Sequence, residues 1–301
     1  MEIVLPGTLL AYAERGPDWA AWIDRLPRLL RELLEEWSLT PDGAATHGNT
    51  AVVVPVRTTG GRPAVLKVGW PHWEAEHEAL ALQHWHGRGA VQLLRADPHR
   101  WALLLERLDA EDLTQQWDLD ACGIVAGLYR RLHVPAPPQL RRLSDQATRW
   151  VEELGELPRD APLPRRMVEH ARALAKDFAS DEGCDGTLIH TDLHFTNVLA
   201  SPGAGEGGGW RAIDPKPLSG DPHYEIAPML WNRFDEYAGR ERDAIRDRFF
   251  ALVDGAELDE DRARDWVIVR MLVNIKDELT RNAAPDRAWT SMMLTITKAV
   301  Q

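Results

Sequence analysis

The sequence predicts an α+β protein of two lobes, a small sheet-rich N-terminal lobe followed by a larger, mainly helical C-terminal lobe. Three observations indicate this. Segments with strand character are concentrated between residues 51 and 108, helical spacing of apolar residues dominates from about residue 110, and two short strand-like segments interrupt the helical half. A chain of 301 residues is long enough for two lobes.

The N-terminal lobe is predicted to begin with an amphipathic helix over residues 18–37, where apolar side chains recur at spacings of three and four. The segments AVVVPVR (51–57) and PAVLKVG (63–69) are rich in strand-forming residues and flank the turn TTGG (58–61), so they predict a β-hairpin. A helix over 73–86 and a second pair of strands, in AVQLLRAD and RWALLLERL, complete the lobe.

The C-terminal lobe is predicted to be helical near 118–133, 144–156, 163–180 and again over 225–301. The short segments TLIH (187–190) and WRAI (210–213) are predicted to be strands joined by a glycine-rich turn at 203–209. A single hairpin is therefore expected inside the helical lobe.

The composition excludes several classes of function. The formal net charge is −12, which disfavours general binding to nucleic acid or to anionic membranes; it aids solubility and also suits a cationic ligand. The two cysteines, Cys122 and Cys184, do not have the spacing of a zinc site or a disulfide framework. No apolar run approaches the roughly 18 residues of a membrane span, and the N-terminus lacks a signal-peptide pattern, so we expect a cytoplasmic protein.

The segment HTDLHFTN (190–197) carries the clearest chemical signal. Asp192 and Asn197 lie five residues apart, and Asp214 follows 17 residues later, just after the second short strand. In a strand–loop–strand hairpin these side chains would meet at one end. Two carboxylates and an amide oxygen suit Mg²⁺, which completes its octahedral coordination with phosphate oxygens and water.

The order of motifs matches the catalytic signature of protein kinases, H-R-D-L-x-x-x-N followed by an Asp-led motif. His190, Leu193 and IDPKP (213–217) occupy corresponding positions, and AVLK places Lys67 on a predicted strand upstream. Asp192 is therefore predicted to orient and deprotonate a substrate hydroxyl, and Asn197 and Asp214 to hold Mg²⁺. Lys67 is predicted to bind the α- and β-phosphates and to pair with Glu78, in preference to Glu74 or Glu76.

The segments LIHTDLHFTNVLA and AIDPKPLSGDPHYEIAPMLWNR resemble the aminoglycoside phosphotransferase family, and the second is most similar to its streptomycin 6-phosphotransferase (aminoglycoside/hydroxyurea kinase) branch. The resemblance implies a protein-kinase-like bilobal fold, ATP and Mg²⁺ as cofactors, and phosphoryl transfer to a hydroxyl of a small molecule, specifically a streptomycin-type aminoglycoside. It also implies an N-terminal nucleotide-binding lobe at 1–106 and a C-terminal lobe with the catalytic loop and acceptor site at 107–301.

Two features depart from the family pattern. Thr191 stands where the family usually has glycine before the catalytic aspartate, which strains the backbone if this position needs a positive φ. The phosphate loop has only Gly48, followed by Asn49, instead of several glycines. The resemblance further implies that the backbone around Glu106 and Leu108 binds the adenine edge.

Several roles stay open from sequence. His190 is expected to brace the catalytic loop, and His194 to cap the loop or lie near the metal. Lys216 either neutralises charge on the transferred group or pairs with Asp221. The candidate residues for contact with a cationic acceptor are Glu225, Trp231, Asp235, Glu236, Asp277 and Glu278. The alternative functions are a metabolic kinase for an aminosugar or another small alcohol, and a nucleotide-binding scaffold without transfer activity.

Overall fold

The computed structural model describes residues 3–202, 209–281 and 284–301. The described residues form two compact units, one comprising 3–110 and 200–202, and the other comprising 111–199, 209–281 and 284–301. None of the helices in these ranges combines the length and the apolar composition that crossing a bilayer requires.

The first unit is a sheet flanked by helices. Its sheet has the strand order β1-β3-β4-β6-β5, with β2 also paired to β3, and every pairing is antiparallel. In chain order the elements are α1 (Gly7–Leu10), α2 (Pro17–Glu36), β1 (Thr40–Pro41), β2 (Thr46–His47), β3 (Ala51–Arg57), β4 (Pro63–Gly69), α3 (Glu78–Trp85), β5 (Leu93–Asp97) and β6 (Ala102–Glu106). The helix predicted over 18–37 is confirmed as α2, and the two predicted hairpin strands are confirmed as β3 and β4.

The core of the first unit lies between α2 and the sheet. Leu26, Leu30 and Leu33 of α2 are buried in one cluster with alternate residues of β3 and β4, including Leu66 and Val68. Burial of each such side chain contributes about 1.5–3 kcal/mol. Because side chains alternate along a strand, Lys67 lies on the face of β4 opposite to this core, where a ligand can be bound.

The second unit is mainly helical. Its elements are α4 (Asp118–Leu132), β7 (Val134–Pro135), α5 (Leu143–Gly155), α6 (Arg165–Ser180), β8 (Thr187–Ile189), β9 (Val198–Ala200), β10 (Trp210–Ala212), β11 (Leu218–Gly220), α7 (Ala227–Trp231), α8 (Glu241–Ala256), α9 (Glu260–Arg281) and α10 (Arg287–Val300). The central helix is α9, which packs against α5, α6 and α10. Residues 266–273 of α9 are buried without interruption, as expected for a helix surrounded by others.

The predicted pairing of the strands at 187–190 and 210–213 is wrong. Strand β8 instead pairs with β7 and β11, and β10 pairs with β9, a strand that the sequence analysis missed. The predicted glycine-rich turn falls largely on residues 203–208, outside the described residues. Strands of three residues show too little alternation to specify a partner, so tertiary packing decides their pairing.

The observed pairing brings two loops together. Residues 190–197 lead from β8 to β9, and residues 213–217 lead from β10 to β11. Because β8 pairs with β11 and β9 with β10, both loops run between the same two small sheets. The segments that carry Asp192, Asn197 and Asp214 therefore lie side by side.

Candidate active site

In the first unit, Lys67 and Glu78 form the ion pair that the sequence predicts. Lys67 Nζ lies 2.6 Å from Glu78 Oε1, and the two side chains are 12% and 7% exposed. Glu78 is the first residue of α3, so the helix fixes its carboxylate against β4. Glu78 therefore holds the Lys67 ammonium in a fixed position. Removing either member of this buried ion pair would leave an uncompensated charge.

The predicted phosphate loop lies between β2 and β3. Gly48 N–H donates to the carbonyl of Ala51 at 3.0 Å, and the carbonyl of Asn49 accepts from Arg15 Nη1 at 3.2 Å. The N-terminal segment also contacts this loop through Thr8 Oγ1 and His47 Nε2, which are 2.7 Å apart. A side chain at position 48 would meet open space, so none of the described neighbours requires glycine there. Its role in nucleotide binding stays a prediction.

The predicted adenine-binding segment follows β6. Glu106 is the last residue of this strand. Its backbone N–H donates to the carbonyl of Gln92 at 3.0 Å, and its side-chain Oε1 accepts from the backbone N–H of Gln92 at 2.8 Å. The side chain of Glu106 is thus held by the sheet, and any contact with adenine falls to the backbone of Glu106–Leu108. This assignment also stays a prediction.

In the second unit, hydrogen bonds join the two loops that carry the predicted catalytic and metal-binding residues. Ile213 N–H donates to the carbonyl of Asn197 at 2.9 Å, and Lys216 N–H donates to the carbonyl of His190 at 3.0 Å. Three predicted site residues, Asp192, Asn197 and Asp214, are therefore carried by one hydrogen-bonded unit.

His190 braces this arrangement, as the sequence analysis expects. Its side chain is fully buried, with Nε2 2.9 Å from the carbonyl of Ile213 and Nδ1 3.3 Å from the Asp192 N–H. This pattern requires a proton on Nε2 and a lone pair on Nδ1, which is the neutral imidazole. Burial lowers the pKa of His190, so the neutral form is favoured and the ring serves as a structural link.

Asp192 is partly exposed and lies beside Lys216. Asp192 Oδ2 is 2.9 Å from Lys216 Nζ. Asp221 has other partners, among them His223 Nδ1 at 2.5 Å and Trp266 Nε1 at 2.6 Å, and only 1% of its surface is exposed. Of the two roles left open for Lys216, pairing with Asp221 is therefore wrong.

Asn197 is oriented so that its amide oxygen is presented, and His194 contacts the amide nitrogen. Asn197 Nδ2 donates to the carbonyl of Asp192 at 2.8 Å and lies 3.1 Å from His194 Nε2, so the amide oxygen is the atom that a cation can use. Burial lowers the pKa of His194, which favours a neutral ring that caps the loop.

The oxygen donors fit Mg²⁺ better than a metal held wholly by protein. No group of three or more His, Cys, Asp or Glu side chains forms a metal cluster within residues 3–202, 209–281 and 284–301. One amide oxygen from Asn197 and one carboxylate from Asp214 are a suitable minimum for Mg²⁺, because this ion retains water and takes its other ligands from phosphates. The backbone of Asp214 is left-handed, with φ 56°, which marks a position held by its surroundings.

The backbone of Thr191 also has a positive φ, 65°, in the region that glycine adopts without strain. A buried network holds it there. Glu225 Oε1 accepts from the N–H groups of His190 at 2.5 Å and Thr191 at 2.7 Å, while Arg270 Nη2 donates to the Thr191 carbonyl. The hydroxyl of Thr191 donates to the carbonyl of Lys216 at 2.7 Å.

The prediction that Glu225 contacts the acceptor is wrong. Its side chain is fully buried, and Oε2 lies 2.5 Å from His133 Nε2, so both oxygen atoms have partners inside the protein. Sequence reasoning also missed Arg270. One signal was present, because Arg270 is the only charged residue in the apolar run WVIVRMLVNI (266–275), and a lone charge in such a run needs a buried partner.

Trp231, Asp235 and Glu236 line a cavity of about 1020 Å³ in the second unit. Trp289 of α10 also lines the cavity and packs edge-to-face against Trp231, with 6.3 Å between their ring centroids. Other polar residues of the lining are Asn232, Arg233, Glu241, Asp286, Ser291 and Thr295. The lining contains four carboxylates and one guanidinium, so the cavity is net acidic.

Arg270 connects the cavity to the loop of residues 190–197. The guanidinium of Arg270 lies 5.2 Å from the ring centroid of Trp231, and the same group bonds to the Thr191 carbonyl. Asp277, another acceptor candidate, instead lines a separate cavity of about 400 Å³ and pairs with Lys276. Glu278 accepts a hydrogen bond from the N–H of Asp286 at 2.7 Å.

Comparison with known proteins shows the family of the chain. The model of the family described as aminoglycoside/hydroxyurea antibiotic resistance kinase matches residues 36–274. The chain is 39% identical to a streptomycin 6-kinase of Streptomyces glaucescens over 285 residues, which cover 90% of each chain. It is 42% identical to a hydroxyurea phosphotransferase of Kitasatospora aureofaciens over 262 residues, covering 84% of this chain and 73% of the relative.

Solved structures show the same fold at low identity. An aminoglycoside phosphotransferase mutant in ternary complex with ADP and hygromycin B has a TM-score of 0.58 at 16% identity, with 89% of this chain and 97% of that chain covered. Choline kinase LicA from Streptococcus pneumoniae has a TM-score of 0.58 at 13% identity, covering 92% and 99%. The predicted protein-kinase-like fold is thereby confirmed. With the family match and the extended identity, the chain belongs to the aminoglycoside/hydroxyurea antibiotic resistance kinase family.

Proposed function

We propose that the protein transfers the γ-phosphoryl group of ATP to a hydroxyl group of a streptomycin-type aminoglycoside and thereby inactivates the antibiotic. The observation that supports this most strongly is the hydrogen-bonded pair of loops that carries Asp192, Asn197 and Asp214 in a chain 39% identical to a streptomycin 6-kinase. The N-terminal lobe, residues 1–106, is assigned to nucleotide binding, and residues 107–301 to catalysis and acceptor binding. Because ATP is the donor, we place the protein in the cytoplasm.

In this proposal Asp192 orients the acceptor hydroxyl and takes its proton as the oxygen–phosphorus bond forms. A positioned base of this kind contributes about 10²–10⁴ in rate. Asn197 and Asp214 would hold Mg²⁺, which neutralises charge on the β- and γ-phosphate oxygens when it is bound. Lys67, fixed by Glu78, is assigned to the α- and β-phosphates, and Gly48, Asn49, Glu106 and Leu108 to other parts of the nucleotide.

We assign the acceptor to the cavity that Trp231 and Trp289 help to line. Its volume, about 1020 Å³, lies at the upper end of the range of about 300–1,000 Å³ that small-molecule sites occupy. Aminoglycosides carry several positive charges, and the net acidic lining, which includes Asp235 and Glu236, attracts them. Glu236 is already paired with Arg233 at 2.7 Å, so Asp235 is the stronger candidate for direct contact with the acceptor.

Hydroxyurea is a second candidate acceptor, since one relative at 42% identity is a hydroxyurea phosphotransferase. Hydroxyurea is small and uncharged, so neither the size nor the charge of the cavity suits it as well as an aminoglycoside. A metabolic kinase for an aminosugar or another small alcohol remains the further alternative. These three possibilities differ in the acceptor and can be separated by one assay.

The test is an acceptor panel incubated with ATP and Mg²⁺, in which the mass of each acceptor is measured. Streptomycin is expected to gain the mass of one phosphoryl group, while hydroxyurea, an aminosugar and choline remain unchanged. The variant Asp192→Ala should bind ATP with Mg²⁺ but transfer nothing, and Asp160→Ala, at an exposed position in the loop before α6, is the matched control. Phosphorylation of another acceptor with streptomycin unmodified would contradict the proposal.

A further inference from the structure

Lys216 lies beside the proposed catalytic base, and the proposed function assigns it no role. Its ammonium lies 2.9 Å from Asp192 Oδ2, and the two side chains are 33% and 19% exposed. A surface ion pair normally contributes little to stability, because solvent screens it. This pair, however, includes the proposed catalytic base, and its partial exposure lets a ligand reach both groups.

The backbone of Lys216 is fixed to the catalytic loop on both sides. Its N–H donates to the carbonyl of His190 at 3.0 Å, and its carbonyl accepts from Thr191 Oγ1 at 2.7 Å. The two residues that precede Asp192 therefore hold the Cα of Lys216 in register with the base. The 2.9 Å contact follows from this register and from the reach of the lysine side chain.

Thr191 contributes to the register in a way that glycine cannot. Its positive φ of 65° would suit glycine, yet glycine has no hydroxyl to donate to the carbonyl of Lys216. The strained backbone is retained together with a hydrogen bond that joins the two loops. The threonine that replaces the usual glycine thus helps to fix the backbone of Lys216.

The charge balance of phosphoryl transfer gives this lysine a role. The transferred group carries negative charge on three oxygen atoms, and it must approach a hydroxyl that a carboxylate, Asp192, holds. Phosphoryl oxygens and carboxylate repel each other unless a cation lies between them. An ammonium has three N–H donors and can contact a carboxylate and a phosphoryl oxygen at the same time.

We propose that Lys216 is a catalytic residue, whose ammonium contacts the transferred phosphoryl group while it holds Asp192 toward the acceptor hydroxyl. This inference rests on the proposed function. In the step itself, the acceptor oxygen bonds to phosphorus, the bond from phosphorus to the ADP oxygen breaks, and the hydroxyl proton moves to Asp192. Lys216 forms no covalent bond and exchanges no proton.

The first experiment compares Lys216→Ala with Lys216→Arg and with Lys176→Ala, an exposed lysine of α6 as the control. For Lys216→Ala we expect kcat to fall about 10²–10³-fold, the range seen when one donor to a developing charge is removed. The KM for ATP should stay near the wild-type value, because the contact is made in the transition state. Lys216→Arg should recover part of the lost rate, and Lys176→Ala should match wild type.

A second readout separates catalysis from a purely structural role. ADP with Mg²⁺ and aluminium fluoride mimics the group in transfer, so Lys216→Ala should bind this complex more weakly in proportion to its loss of kcat while binding ADP with Mg²⁺ as wild type does. A structural counter-ion for Asp192 would not produce this selective loss. Equal affinity for the transition-state analogue, or wild-type kcat in Lys216→Ala, would overturn the inference.

The seating by Thr191 is tested with a matched pair. Thr191→Ser keeps the hydroxyl, whereas Thr191→Val keeps the branched shape and removes it, so only the valine variant should lose kcat. This loss should be smaller or absent on the Lys216→Ala background, because the two residues act together. A wild-type protein inactive on every acceptor would overturn the proposed function and this inference with it, whereas an active wild type with an equally active Lys216→Ala overturns the inference alone.

Discussion

Replacing Glu225 tests how the catalytic loop is held. Glu225→Ala removes the acceptor of the N–H groups of His190 and Thr191 and the partner of His133. Three buried donors, the two N–H groups and the His133 ring, lose their acceptor, and each donor left without one costs about 1–3 kcal/mol. These terms overlap, so we expect a loss of about 3–5 kcal/mol, a large part of the roughly 5–15 kcal/mol that stabilises a typical domain.

Glu225→Gln separates the hydrogen bonds from the charge. The amide oxygen can still accept the two N–H groups, so the expected loss is only about 1–2 kcal/mol, close to the value of one hydrogen bond to a charged group. The measurement is urea unfolding at neutral pH, with the exposed residue change Glu182→Ala as a control that stays within about 0.5 kcal/mol of wild type. Glu225→Ala as stable as that control would refute the anchoring role.

The same carboxylate predicts a pH dependence. Burial alone would raise the pKa of Glu225, but the hydrogen bond and charge of His133, with the neighbouring His190 and the N–H of Thr191, outweigh it and lower the pKa. A lowered folded-state pKa contributes stability that is present above the ordinary glutamate pKa and is lost as the pH falls toward the folded-state value. Wild type should therefore lose more stability below about pH 4.3 than Glu225→Gln does, when unfolding is measured across this range.

Three further changes probe other parts of the site. Lys67→Ala should lower kcat/KM for ATP by about 10²-fold through loss of a phosphate-binding cation, and a variant with normal ATP kinetics would contradict that role. Trp289→Ala should raise the KM for the acceptor by roughly tenfold and leave the KM for ATP unchanged, since a cation over an aromatic ring gains about 0.5–2 kcal/mol; an unchanged acceptor KM would remove the cavity from the account. Arg270→Met should cost about 3 kcal/mol or more in urea unfolding, because the carbonyl oxygens of Thr191 and Tyr224 lose their buried donor, and wild-type stability would show that this contact is dispensable.

Long periodic patterns made much of the fold predictable from sequence. The helix α2 and the hairpin of β3 and β4 have enough residues for their spacing to be distinctive. The order of Lys67, Asp192 and Asn197 indicated a kinase, the class of enzyme to which the relatives belong. The pairing of β8–β11 was not predictable in the same way. Three-residue strands carry little register information, and their partners depend on how the helices pack around them.

The surroundings of individual side chains also could not be predicted from sequence. Acidic residues are usually exposed, and nothing next to Glu225 in sequence indicates that His133 and the N–H groups of His190 and Thr191, far away along the chain, bind its carboxylate. The same holds for the cavity that we propose for the acceptor. Trp231 was a candidate from sequence but Trp289, which packs against it, was not, because only the packing of α7 against α10 brings them together.

Transfer to streptomycin is measured directly by the mass of the antibiotic after incubation with the protein, ATP and Mg²⁺. Wild type should add the mass of one phosphoryl group to the antibiotic, in amounts that match the ADP formed, and Asp192→Ala should add none while still binding ATP. Streptomycin of unchanged mass with the wild-type protein would contradict the proposed function, and equal product from the Asp192→Ala variant would contradict the role of Asp192 as the base.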